Sequence, residues 1–242
     1  MITVSERGPV SVVTIENGPV NVLDLETVQA LTTTLTDLVD APAVVLTGAG
    51  RAFSAGVDLK RLVEGGAPYT RDFVIALGGL FRAVFDHPRP LVAAVNGHAI
   101  AGGCVIAASC DYRYMSAGTI GVTELLVGVP FPAAALEAIR FAAGPRTAQL
   151  VLTGRTLPPA DAVAAGLVDE VVEPAALLDT AVARATALAS IPAVSFAITK
   201  TALRAEPSRL MAGGASEEVI DVWTSEPIRA SITAYLKKLA TR

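Results

Sequence analysis

The stretch Leu91-Val92-Ala93-Ala94-Val95-Asn96-Gly97-His98-Ala99-Ile100-Ala101-Gly102-Gly103-Cys104 decides the fold. Its first five residues form a continuous apolar run, the pattern of a strand buried on both faces. Asn96-Gly97 turns the chain, and Gly102-Gly103 opens a small-residue helix from Cys104 to Ser109. No formal charge occurs from Pro90 to Cys110, a length that could span a bilayer. Its internal polar residue and glycines, and the lack of a basic flank beyond Arg89, favour a buried strand–turn–helix instead.

Moving outward, the same grammar repeats. Ala43-Val44-Val45-Leu46-Thr47 is a second buried strand, broken by Gly48-Ala49-Gly50. Phe73, Ala76, Leu77, Leu80, Phe81, Val84 and Phe85 mark a helix stopped by Pro88 and Pro90. Further upstream, Val10–Ile15 reads as a β-branched strand. Leu25, Val28, Leu31, Leu35 and Leu38 then recur at helical spacing, with Asp24 placed to cap them. Downstream, residues 168–172 form a last short strand, and four helical segments follow, at 175–189, 192–204, 216–223 and 226–239. Alternating strand, loop and helix predicts an α/β layered fold. The expected organisation is a core domain over residues 1–190 and a helical oligomerisation appendage over 191–242.

Composition limits the function. In 242 residues, 19 Lys and Arg face 23 Asp and Glu, a net charge of −4. That balance opposes nucleic-acid binding, which needs a basic surface to neutralise phosphates, and opposes a polybasic membrane anchor. Charged residues are 17%, below the roughly 25% of an average domain. Such an apolar chain has material for subunit contacts as well as a core. Two cysteines, Cys104 and Cys110, make no disulfide framework, and a reduced, cytoplasmic setting is expected. With two histidines and no cysteine pair at metal spacing, no metal site is expected. His87, at a helix end, is expected at the surface. His98 is read as either a core histidine or a pocket residue.

Three segments could carry chemistry. Gly50-Arg51-Ala52-Phe53-Ser54-Ala55-Gly56-Val57-Asp58-Leu59 follows a buried strand and lets a ligand approach the backbone. It is not a dinucleotide fingerprint, because Phe53 stands where the third glycine belongs and no helical stripe follows at once. Gly102-Gly103 leaves helix-start N–H groups uncovered at a positive dipole end, a geometry suited to an oxyanion or merely to close packing. Glu124 is the only charged residue between Arg113 and Glu137. In apolar surroundings its pKa should rise, making it a base near neutrality; on a loop it would simply face solvent.

In this order and spacing, the segments resemble the crotonase (enoyl-CoA hydratase/isomerase) superfamily. The resemblance rests on Ala52–Leu59, on Asn96–Cys104 with Cys110-Asp111, on Thr153-Gly154-Arg155 and on Ala164–Asp169. It implies a crotonase-like (ClpP/crotonase) α/β spiral of ββα units with a C-terminal helical trimerisation region, assembled as a homotrimer or a dimer of trimers. It implies an acyl thioester of coenzyme A as ligand, with coenzyme A entering as part of the substrate rather than as a cofactor. Val57 and Gly102 fall on the positions whose backbone N–H groups hold the thioester oxygen. Ser54, Ala55, Gly56 and Asp58 fall on the loop lining the thioester site, and Thr123 lies beside Glu124. Family hydratases place one glutamate where Val105 stands and a second where Glu124 stands. A lone second glutamate, with Gly18–Leu23, Gly121–Glu124 and Thr199-Lys200, is similar to the mitochondrial-type Δ3,Δ2-enoyl-CoA isomerase branch. Thr123 departs from the asparagine expected there.

The residue count agrees with that branch. Moving a double bond from C3–C4 to C2–C3 removes a proton at C2 and delivers one at C4, with no water, so one carboxylate suffices. The alternatives are a hydratase-like enzyme using Glu124 alone, a non-catalytic acyl-CoA binder, and a serine hydrolase built on Ser54 and His98. Arg51, Lys60 and Arg61 are candidates to meet the phosphates of coenzyme A.

Overall fold

The computed structural model describes residues 1–240; the final two residues of the expected appendage lie outside the described residues. Six strands form the main sheet, in the order β1 (Ile2–Arg7), β2 (Val10–Ile15), β4 (Ala43–Gly48), β7 (Leu91–Val95), β9 (Tyr112–Met115) and β12 (Glu170–Val171). All its neighbours are parallel except the β1–β2 hairpin. A smaller sheet runs β11 (Thr156–Leu157), β10 (Ile120–Gly121), β8 (His98–Ile100), β5 (Ala52–Ser54), and β3 (Val22–Leu23) pairs with β6 (Gly56–Val57). The chain therefore winds in repeated turns of long strand, short strand and helix. The helices closing successive turns are α1 (Leu25–Asp37), α2 (Leu59–Phe85), α3 (Gly102–Ser109) and α4 (Glu124–Val127). This is the ββα spiral that the family resemblance implies, and it contains the α/β layering that the apolar pattern predicts.

The apolar runs are continuous because both faces of the main sheet are covered. One face packs Val13, Ile15, Val44, Leu46, Leu91 and Ala93 into the core shared with α1, α2 and α3. The other packs Val10, Val12, Val45, Val92 and Ala94 against Leu177, Ala181 and Ala185 of α8 (Leu177–Ala189). Asp24 caps α1 by accepting from the Thr27 N–H at 2.8 Å. Beyond α4 come α5 (Ala133–Ala143), α6 (Thr147–Thr153) and α7 (Pro159–Ala164). The tail comprises α9 (Ala193–Met211), α10 (Glu217–Thr224) and α11 (Glu226–Ala240).

Two expectations need correction. A helix does follow the Ala52–Asp58 loop at once: α2 begins at Leu59, with Asp58 accepting from the N–H groups of Lys60 and Arg61 at 3.0 and 3.1 Å. Its first turns carry no long apolar stripe and are broken from the rest at Gly66, whose φ is +66°, so periodicity becomes visible only later. His87 is buried, at 4% exposure, rather than at the surface. Its Nδ1 accepts from the Arg89 N–H at 3.3 Å, and burial pushes its pKa down. Among the described residues no single helix is long and apolar enough to cross a membrane.

Candidate active site

Each ββα turn ends with a short strand feeding a helix start, and the spiral stacks these junctions. Three meet at one place: Val57–Asp58 before α2, Ala101–Gly102 before α3 and Thr123–Glu124 at α4. Parallel pairing of Gly121 with Ile100 and the Ala101 N–H bond to Gly121 O, 2.8 Å, lock the third junction to the second. Gly56 locks the first to the second. A Cβ there would lie 2.5 Å from Ile100 O and 3.4 Å from the Gly102 nitrogen. With φ at +82°, the position demands glycine for both conformation and space.

The two candidate amides are free to meet a ligand. The Asp58 N–H donates to Leu23 O at 2.9 Å. Successive N–H groups of a strand point to opposite sides, so the Val57 N–H points away from β3. The Gly102 N–H belongs to the first turn of α3, where no intrahelical acceptor exists. Ala101, just before it, holds φ +51° and ψ −121°, strain of about 1–3 kcal/mol for a residue bearing a Cβ.

A cavity of about 270 Å³ opens at this junction. Ala55, Val57, Asp58, Thr123 and Glu124 of the sequence-derived candidates line it, with Lys60 and the apolar residues Val22, Ile100, Val127 and Val129. Glu124 is 8% exposed, and its Oε2 is buried with no hydrogen-bond partner. Burial raises its pKa from 4.5 to about 7, opposed by the backbone amides of Glu124 and Thr123. Asp58, the other carboxylate lining the cavity, is already engaged as the α2 cap. A second cavity of about 560 Å³ shares Ala55 and Ile100 with the first and is lined by Val20, Arg51, His98 and Gly118. Arg61 is occupied elsewhere, 2.7 Å from Glu26.

Ser54 and Gly56 support the site without lining it. Ser54 is fully buried; its hydroxyl donates to Asn21 O at 2.7 Å and accepts from the Gly56 N–H at 3.1 Å. His98 is exposed, its Nδ1 3.1 Å from the Thr119 hydroxyl. The two form no nucleophile–base pair, which removes the serine-hydrolase alternative. Among the described residues, no group of three or more His, Cys, Asp or Glu is placed to hold a metal.

Sequence reasoning missed the far wall. Trp223 of α10 and Tyr235 and Leu236 of α11 line the same cavity, and Trp223 is fixed by its Nε1–H donating to Pro130 O at 2.9 Å. The isolated tryptophan in the helical tail was the available signal. Asn21 and Asn96 were missed as braces. Asn21 Nδ2 donates to Ala49 O and Ala52 O, and Asn96 Nδ2 donates to Gly50 O at 2.9 Å.

Residues 5–241 match the Enoyl-CoA hydratase/isomerase family model, and the chain belongs to that family. It is 38% identical to a Thermus thermophilus protein provisionally named as an enoyl-CoA hydratase, over 98% of each chain. It is 30% identical to human mitochondrial enoyl-CoA delta isomerase 1, covering 95% of this chain and 80% of that one. The crystal structure of human mitochondrial Δ3-Δ2-enoyl-CoA isomerase superposes with a TM-score of 0.91 at 27% identity, covering 99% of this chain and 98% of that one.

Proposed function

We propose that the protein shifts the double bond of a 3-enoyl-CoA to give a 2-enoyl-CoA, with Glu124 as the proton shuttle. The observation that carries this reading is a single unengaged carboxylate, with an unpartnered oxygen, in an apolar cavity at the junction holding two free main-chain amides. A proton at C2 of a thioester is poorly acidic until negative charge can pass to the carbonyl oxygen. The N–H groups of Val57 and Gly102 would receive that charge; one such donor is typically worth about 2.7–4 kcal/mol. Glu124 takes the C2 proton, and the same carboxyl returns it at C4. A positioned base contributes roughly 10²–10⁴ in rate. The acyl chain would lie between Val127, Val129 and Trp223. The nucleotide of coenzyme A would extend toward the second cavity, where Arg51 offers a cation, past Lys60 in the lining of the first.

A hydratase reading is favoured by the names of some relatives, including a Clostridium acetobutylicum short-chain-enoyl-CoA hydratase, 33% identical over 84% of this chain. Val105, fully buried, stands where that chemistry would use the first of its two glutamates, and the apolar lining gives a water little to bond to. Side-by-side assays with 3-enoyl-CoA and 2-enoyl-CoA substrates separate the two. Isomerisation with little hydration is expected; hydration of crotonyl-CoA at a comparable rate would refute the isomerase reading. Glu124→Gln should abolish isomerisation while leaving acyl-CoA affinity nearly intact, and persisting turnover would require another base.

A further inference from the structure

Arg204 lies in α9, outside the cavity, and is 5% exposed. Its guanidinium reaches the opposite end of α3 from Gly102. Nη1 donates to Ser109 O at 3.0 Å and to Phe85 O, and Nη2 donates to Asp111 Oδ1 at 2.9 Å and to Cys110 O at 3.4 Å. The guanidinium carbon sits 4.3 Å from the Phe85 ring centroid and 5.3 Å from that of Phe141. Lys200, one turn earlier, completes the cluster by donating to Asp111 Oδ2 at 2.7 Å and Arg89 O at 3.3 Å. It makes no bond to α3.

Helix α3 spans eight residues, all buried, so about 12 Å separates its ends. At its start, Ala101 is held in a conformation it would leave if α3 could slide or tilt. At its end, Arg204 fixes carbonyls that have no helical donor and places a cation against the negative end of the helix dipole. We propose that Arg204 is a positioning residue that, through α3, holds the Gly102 N–H where it polarises the thioester carbonyl. This rests on the acyl-thioester reading of the cavity. The rigid short helix converts a clamp in the C-terminal tail into placement of a donor in the active site.

The test is isotope-edited infrared spectroscopy of butyryl-CoA, labelled with ¹³C at the thioester carbonyl, bound to the full-length chain. This saturated thioester does not isomerise. In the wild type the carbonyl stretch should fall below that of the free ligand. In Arg204→Met it should return toward the free value, with kcat lowered about 10–100-fold and KM within about threefold. In Lys200→Met, which loses Asp111 and Arg89 contacts but none to α3, the stretch should match the wild type even if the melting temperature drops. No lowered stretch in wild-type protein overturns the thioester reading, and this proposal with it. A lowered stretch that Arg204→Met leaves unchanged overturns the positioning role alone, as does an equal loss in both variants. If Arg204→Met does not fold, Arg204→Lys is read instead; it keeps the charge but not the fork, and a wild-type stretch there overturns the proposal.

Discussion

A carboxyl group walled in by valines lowers its energy by keeping its proton, and Glu124 does so up to about pH 7. The base role proposed for it needs the proton gone, so on that reading the isomerisation rate should rise with pH through about 7 before levelling off. The same displacement affects stability. The folded pKa lies above the unfolded value of 4.5, so the contribution is complete below pH 4.5 and is lost as pH rises through 7. A pKa unit is worth about 1.4 kcal/mol, so Glu124→Gln should gain about 3 kcal/mol on the wild type between pH 4 and pH 8. Urea titrations of both proteins at the two pH values measure that difference. The candidacy of Glu124 as a site residue was legible because a lone charge in a long uncharged stretch is conspicuous. The orientation of its side chain was not, because a loop glutamate can face either way.

At the level of elements, the geometry of the candidate site comes from helix starts brought side by side, and the close-packed glycines set their spacing. Gly56→Ala would put a methyl carbon 2.5 Å from Ile100 O at φ +82°. We expect destabilisation of about 1–3 kcal/mol and a fall in kcat of about 10²–10³, because the neighbouring Gly102 amide must give way. Thermal melts and steady-state rates check both. The buried strands and the Gly102–Ser109 helix were readable because their apolar runs and glycine breaks are local signals. The start of α2 was not, because Leu59-Lys60-Arg61-Leu62-Val63-Glu64 is short, partly solvated and cut off by Gly66. The place of Ser54 was also hidden, since a loop serine that braces its neighbours looks the same in sequence as one that touches a ligand.

On the scale of the whole molecule, α9 is attached to the body in an unusual way. Of its 19 residues only Lys200, Arg204 and Met211 are buried, while Val194, Ile198 and Leu203 are 72%, 66% and 69% exposed. Apolar side chains in such numbers on a helix surface suit a subunit contact, and we expect a homo-oligomer, a trimer or a pair of trimers. Ile198→Asp should shift sedimentation velocity toward the monomer; an unchanged oligomer would place the contact elsewhere. The helical tail was legible as helices, but its dual attachment was not. The cations that pin α9 and the aromatic residues that reach the cavity act over separations of about a hundred residues along the chain. Because Trp223, Tyr235 and Leu236 close the cavity in their own chain, the chamber proposed to be catalytic is finished only when the last helices dock. A nascent chain still lacking α11 would already carry both amides, yet Val127 O of α4 would lack the Ser231 hydroxyl and one side of the chamber would stand open to water. Activity during synthesis should therefore appear abruptly and late, after most of the fold has formed.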